Sequence, residues 1–436
     1  MTTRRRFLAQ SAAGAALVLA GRAASAAGNA APAGVAAAGS DPSSELLRRA
    51  EALLAQAPLV DTHNDLPTSI LEVSAGDLSK LDLSQPQPKL CADVPSLRAG
   101  RVGVQYWSVF VESATQKTHV SLHEALREFD VALRLIRSTP AFEQARSADD
   151  IERIHRAGRI ACLMGVEGGH MIENSPAALR VFYELGARYM TLTHWDNIDW
   201  ADAATDRAQN FGLNALGRQL IAEMNRLGMF VDLSHVSADS MRNALKVTRA
   251  PVIFSHSNAF ALNPHPRNAP DDVLRSLRDN GGVIHVNFIR PFVSRDGHAW
   301  EERRNAALRE IKARLTDESA IKSAIDAWEK SEGLPRATIA DVADHIDHIR
   351  DVAGIDHIGI GADYFEPNPT LMVDGLPDVS RYPYLFAELL RRGYSDSDVL
   401  KIAGRNHLRA LRAMEQVAVG LRKTAAPLIT EGLKGT

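Results

Sequence analysis

Between residues 43 and 414 the chain repeats one rhythm of apolar and polar positions. A short, nearly unbroken apolar run ends in a polar residue, and a segment of helical period follows. The first run, Leu59-Val60-Asp61-Thr62-His63, comes after a helix predicted over 43–56. Val102–Val111, Arg159–Val166, Arg188–Thr193, Gly228–Ser234, Pro251–Ser255, Gly282–Asn287 and Ile355–Ala362 follow. Helices are predicted at 121–137, 176–185, 213–227, 238–247, 270–279, 382–392 and 396–414. Runs that scarcely alternate read as strands buried on both faces, hence as a parallel sheet covered by helices. Eight of them fit an α/β fold, the (β/α)8 TIM-like barrel, better than an open doubly wound sheet. No glycine-rich phosphate fingerprint follows the first run. The segment at about 295–335 exceeds one crossover; its helical stretches at 300–315 and 318–332 predict an insertion packed on the barrel's outside. Residues 43–418 are then one domain, and 419–436 a loosely held tail.

Composition narrows the function classes. Fifty basic against fifty-three acidic side chains leave no field to attract nucleic acid or an anionic membrane surface. No apolar run is long enough to span a bilayer. Two cysteines, Cys91 and Cys162, exclude a disulfide framework and leave at most one bridge. Ahead of the barrel, Arg4-Arg5-Arg6-Phe7-Leu8, a short apolar segment and Ala24-Ser25-Ala26 read as a signal peptide over 1–26, resembling the twin-arginine class. Residues 27–42 read as a flexible leader, and the mature protein is expected in the periplasm or outside the cell.

The candidate chemistry lies where the runs stop. His63, Asp65, Glu167, His194, His235, His256 and Asp363 all fall at C-terminal ends of predicted strands. In a barrel those ends form one rim, where active sites of this architecture are built. Histidines with a glutamate able to bridge and an aspartate suffice for two adjacent divalent ions. Nitrogen and oxygen donors without thiolate suit Zn²⁺, with Mn²⁺ and Co²⁺ as alternatives. Other residues read more plainly. His285 alternates within its run and is expected to be packed; His170 and His265 are expected in supporting or loop roles, and His298 at the surface. Asp61 and Asp232 are placed to back ligating histidines. Trp195, Trp200 and Asp202 are expected to form a pocket wall or lid, or else a plain surface loop.

Six segments together resemble the membrane (renal) dipeptidases, dinuclear zinc peptidases of peptidase family M19. They are His-Asn-Asp-Leu-Pro at 63–67, Gly-Val-Glu-Gly-Gly-His at 165–170, Leu-Thr-His at 192–194, Asp-Leu-Ser-His-Val-Ser at 232–237, Pro-Val-Ile-Phe-Ser-His-Ser at 251–257 and His-Pro-Arg-Asn-Ala-Pro-Asp-Asp-Val-Leu at 265–274. The resemblance covers roughly Pro58 to Met414. It implies that His63 and Asp65 hold one zinc ion, His235 and His256 a second, and Glu167 bridges them. It further implies that His194 supports the substrate carbonyl, Arg267 grips the substrate's C-terminal carboxylate and Asp363 shuttles the proton. Phe292 stands about where a pocket-lining aromatic is expected. Family members are often dimers, so a homodimer is an expectation too. One departure stands out: Gly361-Ala362-Asp363-Tyr364-Phe365-Glu366 replaces the usual Gly-x-Asp-Phe-Asp-Gly.

The expected reaction is dipeptide hydrolysis by a hydroxide bridging the two ions, with Asp363 carrying its proton to the departing amine. No Gly-x-Ser-x-Gly elbow suggests an acyl-enzyme instead. Two other readings fit the same residues: a metallohydrolase of N-acyl amino acids, β-lactams or lactones, and a non-catalytic periplasmic binding protein that uses the barrel mouth.

Overall fold

Every apolar run of the sequence becomes a strand, and burial on both faces explains why the runs hardly alternate. The computed structural model describes residues 44–365 and 371–429. The predicted signal peptide and leader, Glu366 and the end of the tail lie outside the described residues. The strands are β1 (Leu59–Asn64), β2 (Val102–Phe110), β3 (Phe142–Gln144), β4 (Ile160–Glu167), β5 (Ala187–Thr191), β6 (Phe230–Asp232), β7 (Ile253–Phe254), β8 (Val283–Val286) and β9 (Ile358–Ile360). All pairings are parallel, and β1–β9 together with β2–β4 close the ring. The strand β3, not foreseen in the sequence, pairs only with the first half of β4, while β5 takes the second half. It is an appendage, not a ninth stave. The architecture is the expected (β/α)8 barrel.

Side-chain parity sorts the core. Val60, Val104, Tyr106, Leu163, Tyr189, Phe230, Ile253 and Val283 fill the interior in one cluster with Leu408, Leu411 and Met414. Those three belong to the helix Asn406–Thr424, which therefore closes the N-terminal end of the barrel. Leu59, Trp107, Val109, Met164, Val166 and Met190 have the other parity and pack into the helical layer. Gly165 has interior parity, and a Cβ there would stand 1.9 Å from Tyr189 Cζ. Its lack of a side chain makes room for the phenol.

The helix predicted over 396–414 is interrupted. It runs Asp396–Leu400, passes through a π-turn at Lys401–Arg405, and resumes to Thr424. The wide turn coincides with Gly404, where a Cβ would be 2.2 Å from Pro58 O, so the helix backbone lies directly on the entry to β1. Past this helix, Leu428 N donates to Glu223 Oε2 and Leu428 O accepts from Arg180, so the described part of the tail is tied down. Between β8 and β9, the helices Arg295–Arg314 and Glu318–Glu332 share a small core of Leu308, Ile311, Ile321 and Ile325. Hydrogen bonds from Arg295 attach this pair to Ala261 O and Leu262 O, on the rim loop after β7. Cys91 and Cys162 form no disulfide. No helix among the described residues is long and apolar enough to cross a membrane.

Candidate metal centre

Strand β1 delivers its side chains through a bulge. Asp61 pairs with Gln105 and Asn64 with Trp107, so three residues of β1 advance against two of β2. Strict alternation would send Asp61 and His63 the same way. Instead the Asp61 carboxylate meets the outer layer, accepting from Tyr382 Oη at 2.6 Å and Gln105 Nε2 at 3.0 Å. His63 turns toward the axis, where its Nδ1 lies 2.9 Å from Tyr189 Oη. His63 Nε2 then faces Asp65 Oδ1 at 3.6 Å and Asp363 Oδ1 at 3.7 Å.

Glu167 ends β4 with interior parity and divides its two oxygens between two groups. Oε2 lies 3.5 Å from His63 Nε2 and accepts from Ser108 Oγ at 3.1 Å. Oε1 lies 3.1 Å from His235 Nε2, 3.5 Å from His194 Nε2 and 3.7 Å from His256 Nε2. His235 Nε2 and His256 Nε2 are 2.9 Å apart. Three sets of donors therefore converge closely enough to share an ion: His63/Asp65/Glu167, Glu167/His235/His256 and His63/His256/Asp363.

These residues fit a metal. Donors about 2.0–2.1 Å from a tetrahedral ion stand about 3.3–3.4 Å apart, and the spacings here straddle that value. Buried His63 Nε2 faces three carboxylates yet hydrogen-bonds to none of them. The tautomers agree. Tyr189 Oη donates its one proton to Thr62 O at 3.0 Å, so it must accept from His63 Nδ1–H. Ser255 Oγ donates to Asp232 Oδ2 at 2.5 Å, so it accepts from His256 Nδ1–H at 2.8 Å. In the neutral rings both arrangements leave Nε2 as the lone pair, the form a metal binds. Burial pushes the pKa values of His235 and His256 well below the ordinary imidazole range, favouring the same neutral form. Burial also works against charge on His63, but the Glu167 and Asp65 carboxylates hold its pKa well above the usual value.

Two of the converging residues occupy left-handed backbone, His235 at φ 69° and Asp363 at φ 67°. Outside glycine such a conformation costs on the order of 1 kcal/mol and persists only where the surroundings enforce it. Ala204 N at 2.7 Å and Thr193 Oγ1 at 3.2 Å grip the His235 carbonyl. Asn287 Nδ2 donates to Asp363 Oδ2 at 3.0 Å. Next to the histidines, His194 packs against Phe110 with ring centroids 4.8 Å apart. The buried Arg267 guanidinium lies 4.9 Å from the Phe292 ring and 5.6 Å from the Trp195 ring, and its Nη2 reaches His256 O at 3.4 Å.

Residues 47–425 match the model of the membrane dipeptidase family, peptidase family M19. The chain belongs to that family. Membership makes it a metallo-dipeptidase and sets aside the non-catalytic binding barrel. Dipeptidase tcpJ of Claviceps purpurea (strain 20.1) is 38% identical over 384 residues, covering 86% of this chain and 80% of that protein. Dipeptidase verJ of Clonostachys rogersoniana is 35% identical over 396 residues, covering 88% and 91%. Among solved structures, the probable dipeptidase PvdM of Pseudomonas aeruginosa superposes with a TM-score of 0.73 at 24% identity, over 86% of this chain and 99% of that one. A metallo peptidase from Rhodobacter sphaeroides, liganded with a phosphinate mimic of the dipeptide L-Ala-D-Ala, gives 0.65 at 24% identity, over 82% and 99%. At that identity the two structures speak to the fold alone.

In this M19 peptidase the structure brings His63, Asp65, Glu167, His194, His235, His256 and Asp363 into one buried cluster, with Arg267 and Phe292 beside it. Asp232 backs His256 through Ser255, whereas Asp61 reaches His63 at its backbone N–H, 3.2 Å away, and not at its ring. His285 is packed, its Nδ1 donating to Phe254 O. His170 Nε2 donates to Val111 O. Tyr364, part of the departure after Asp363, supplies the carbonyl that accepts from Asp65 N at 3.0 Å, while its phenol donates to Leu376 O. Sequence reasoning missed Tyr189, Ser255, Ser108 and Asn287. The serine preceding His256 was visible, but nothing local says which way a hydroxyl points.

Proposed function

We propose that this M19 peptidase is a dinuclear zinc dipeptidase, with His63 and Asp65 on one ion, His235 and His256 on the other, and Glu167 between them. The observation that carries this reading is the division of Glu167: one oxygen toward His63 and the other toward the remaining histidines. When bound, the ions supply a water acidic enough to be deprotonated near neutral pH and Lewis acidity toward the substrate carbonyl. The protein's own groups do the rest. Arg267, itself buried, pairs its guanidinium with the substrate's C-terminal carboxylate, a charge-assisted contact. Phe292 and Trp195 wall the same position, with their rings against the guanidinium. His194 Nε2 points at the centre of the cluster, placed to donate to the oxygen that gains charge as the carbonyl becomes tetrahedral. Asp363 takes the water's proton on Oδ1 and returns it to the departing amine nitrogen, while Asn287 fixes Oδ2. Water and peptide bond are consumed, and a carboxylic acid and an amine are released. Folding before export through a twin-arginine signal suits an enzyme that must load metal first, so we place the mature protein in the periplasm or outside the cell.

Metal analysis of the purified mature protein tests the centre: two equivalents of zinc are expected, and fewer than about one after loading sinks the reading. Asp363→Asn is expected to lower kcat on a dipeptide by about 10²–10⁴-fold with metal content unchanged. Undiminished turnover removes Asp363 from its role.

A further inference from the structure

The helices inserted between β8 and β9 reach back to the rim. Glu301, in the helix Arg295–Arg314, places Oε2 2.9 Å from His265 Nε2, with only 13% and 4% of the two side chains exposed. On the other side of that ring, His265 Nδ1 accepts the backbone N–H of Arg267 at 3.1 Å. A neutral imidazole that accepts on Nδ1 carries its proton on Nε2, so the ring donates to the Glu301 carboxylate. The same ring packs on Phe292 at 4.5 Å, and Phe292 in turn lies under the Arg267 guanidinium. Amide side chains close the joint: Asn263 Nδ2 donates to Pro291 O at 2.8 Å, and Asn268 Nδ2 to both Asn263 O and Phe292 O at 2.9 Å.

We infer that Glu301 and His265 are positioning residues for Arg267, which makes the inserted helix pair a working part of the carboxylate-recognition site. The inference rests on the reading of Arg267 as the anchor for the substrate's carboxylate. Neither residue touches the substrate. Their effect runs through the tautomer of one ring. With a carboxylate at Nε2, the proton stays there and Nδ1 remains an acceptor. Without it, the alternative tautomer sets N–H against the Arg267 N–H, two donors face each other, and the loop must shift.

The test compares a dipeptide with its C-terminal amide on the zinc-loaded enzyme. For Glu301→Ala, KM for the free dipeptide is expected to rise about tenfold with kcat within about twofold, and the preference over the amide to shrink by the same factor. Glu301→Gln keeps an acceptor and is expected to restore the preference, at unchanged metal content; a merely structural defect would lower turnover of both substrates and would not be rescued. Should the alanine variant fail to fold, His265→Leu carries the same expectation. A wild-type preference in Glu301→Ala, or in His265→Leu, overturns the inference. A wild-type preference in Arg267→Ala instead overturns the carboxylate-anchor reading beneath it.

Discussion

Two buried histidine clusters share this barrel, one on the rim and one lower in the interior, against the helix Asn406–Thr424. They show what separates a metal centre from a packed polar core. In the lower cluster every ring nitrogen is used. Phe254 O can only accept, so His285 Nδ1 donates to it at 2.8 Å. His285 Nε2 then accepts from His407 Nδ1 at 3.1 Å, and His407 Nε2 accepts from Tyr106 Oη at 2.8 Å. The chain of donors and acceptors runs from the Tyr106 hydroxyl to the Phe254 carbonyl without a carboxylate. On the rim, the outer nitrogens of His63 and His256 are occupied by Tyr189 and Ser255, while the inner one of His63 faces Glu167 without a hydrogen bond and that of His256 meets only another imidazole, His235 Nε2. Burial and residue type are the same in both places. The difference is lone pairs left facing carboxylates.

Breaking the rim is expected to have the largest effect. Glu167→Gln keeps shape and volume but replaces one carboxylate oxygen by an amide that cannot ligate. We expect loss of at least one equivalent of metal and a fall in kcat/KM of about 10³-fold, because metal stabilisation of the transition state is worth several kcal/mol. Inductively coupled plasma analysis alongside dipeptide kinetics reads both. A variant that keeps two equivalents and near-normal turnover would falsify the bridging role.

A milder break leaves the proposed ligands and removes the group behind one of them. In Ser255→Ala, His256 Nδ1–H loses its acceptor and Asp232 loses a donor. Outer partners of metal-bound histidines are typically worth 10–100-fold in metal affinity, so chelator competition is expected to show a shift of about that size. An unchanged affinity would mean that the Asp232–Ser255–His256 arrangement serves packing alone.

Much of this contrast was legible in the chain and part of it was not. The rim residues stood out because they recur at one phase of the repeat, at the ends of six of the eight apolar runs, and the barrel follows from that same repeat. The bulge between Asp61 and Asn64 was not legible, since an extra residue in one strand is defined only against its partner. His407 gave no signal either. It sits in a helix whose apolar residues look like any surface helix, and only the barrel's closed end makes it an interior residue. The tie between Glu301 and His265 spans thirty-six positions through tertiary structure, where periodicity carries no information.

The smallest expected effect sharpens the comparison through pH. Burial depresses the pKa of His285 to about 4 and that of His407 well below the usual imidazole value. The unfolded chain takes up these protons as pH falls through about 6.5, whereas in the folded chain His285 resists until about 4 and His407 likewise stays neutral well below 6.5. The stabilisation is therefore present in full above pH 6.5 and is lost progressively on acidification toward 4. For His285 alone the loss is on the order of 1 kcal/mol by pH 5.5. His63 has the opposite sign in metal-free protein, because carboxylates raise its pKa, so the measurement belongs on zinc-loaded enzyme, where metal pins the rim. Denaturant unfolding at pH 7.5 and 5.5 is expected to show a smaller loss for His285→Asn than for wild type, even though the variant starts less stable. Its amide still donates to Phe254 O but leaves His407 Nδ1–H without its acceptor, and it has no proton to gain. Equal losses in the two proteins would mean that the acid sensitivity arises outside the lower cluster, for instance at buried His345.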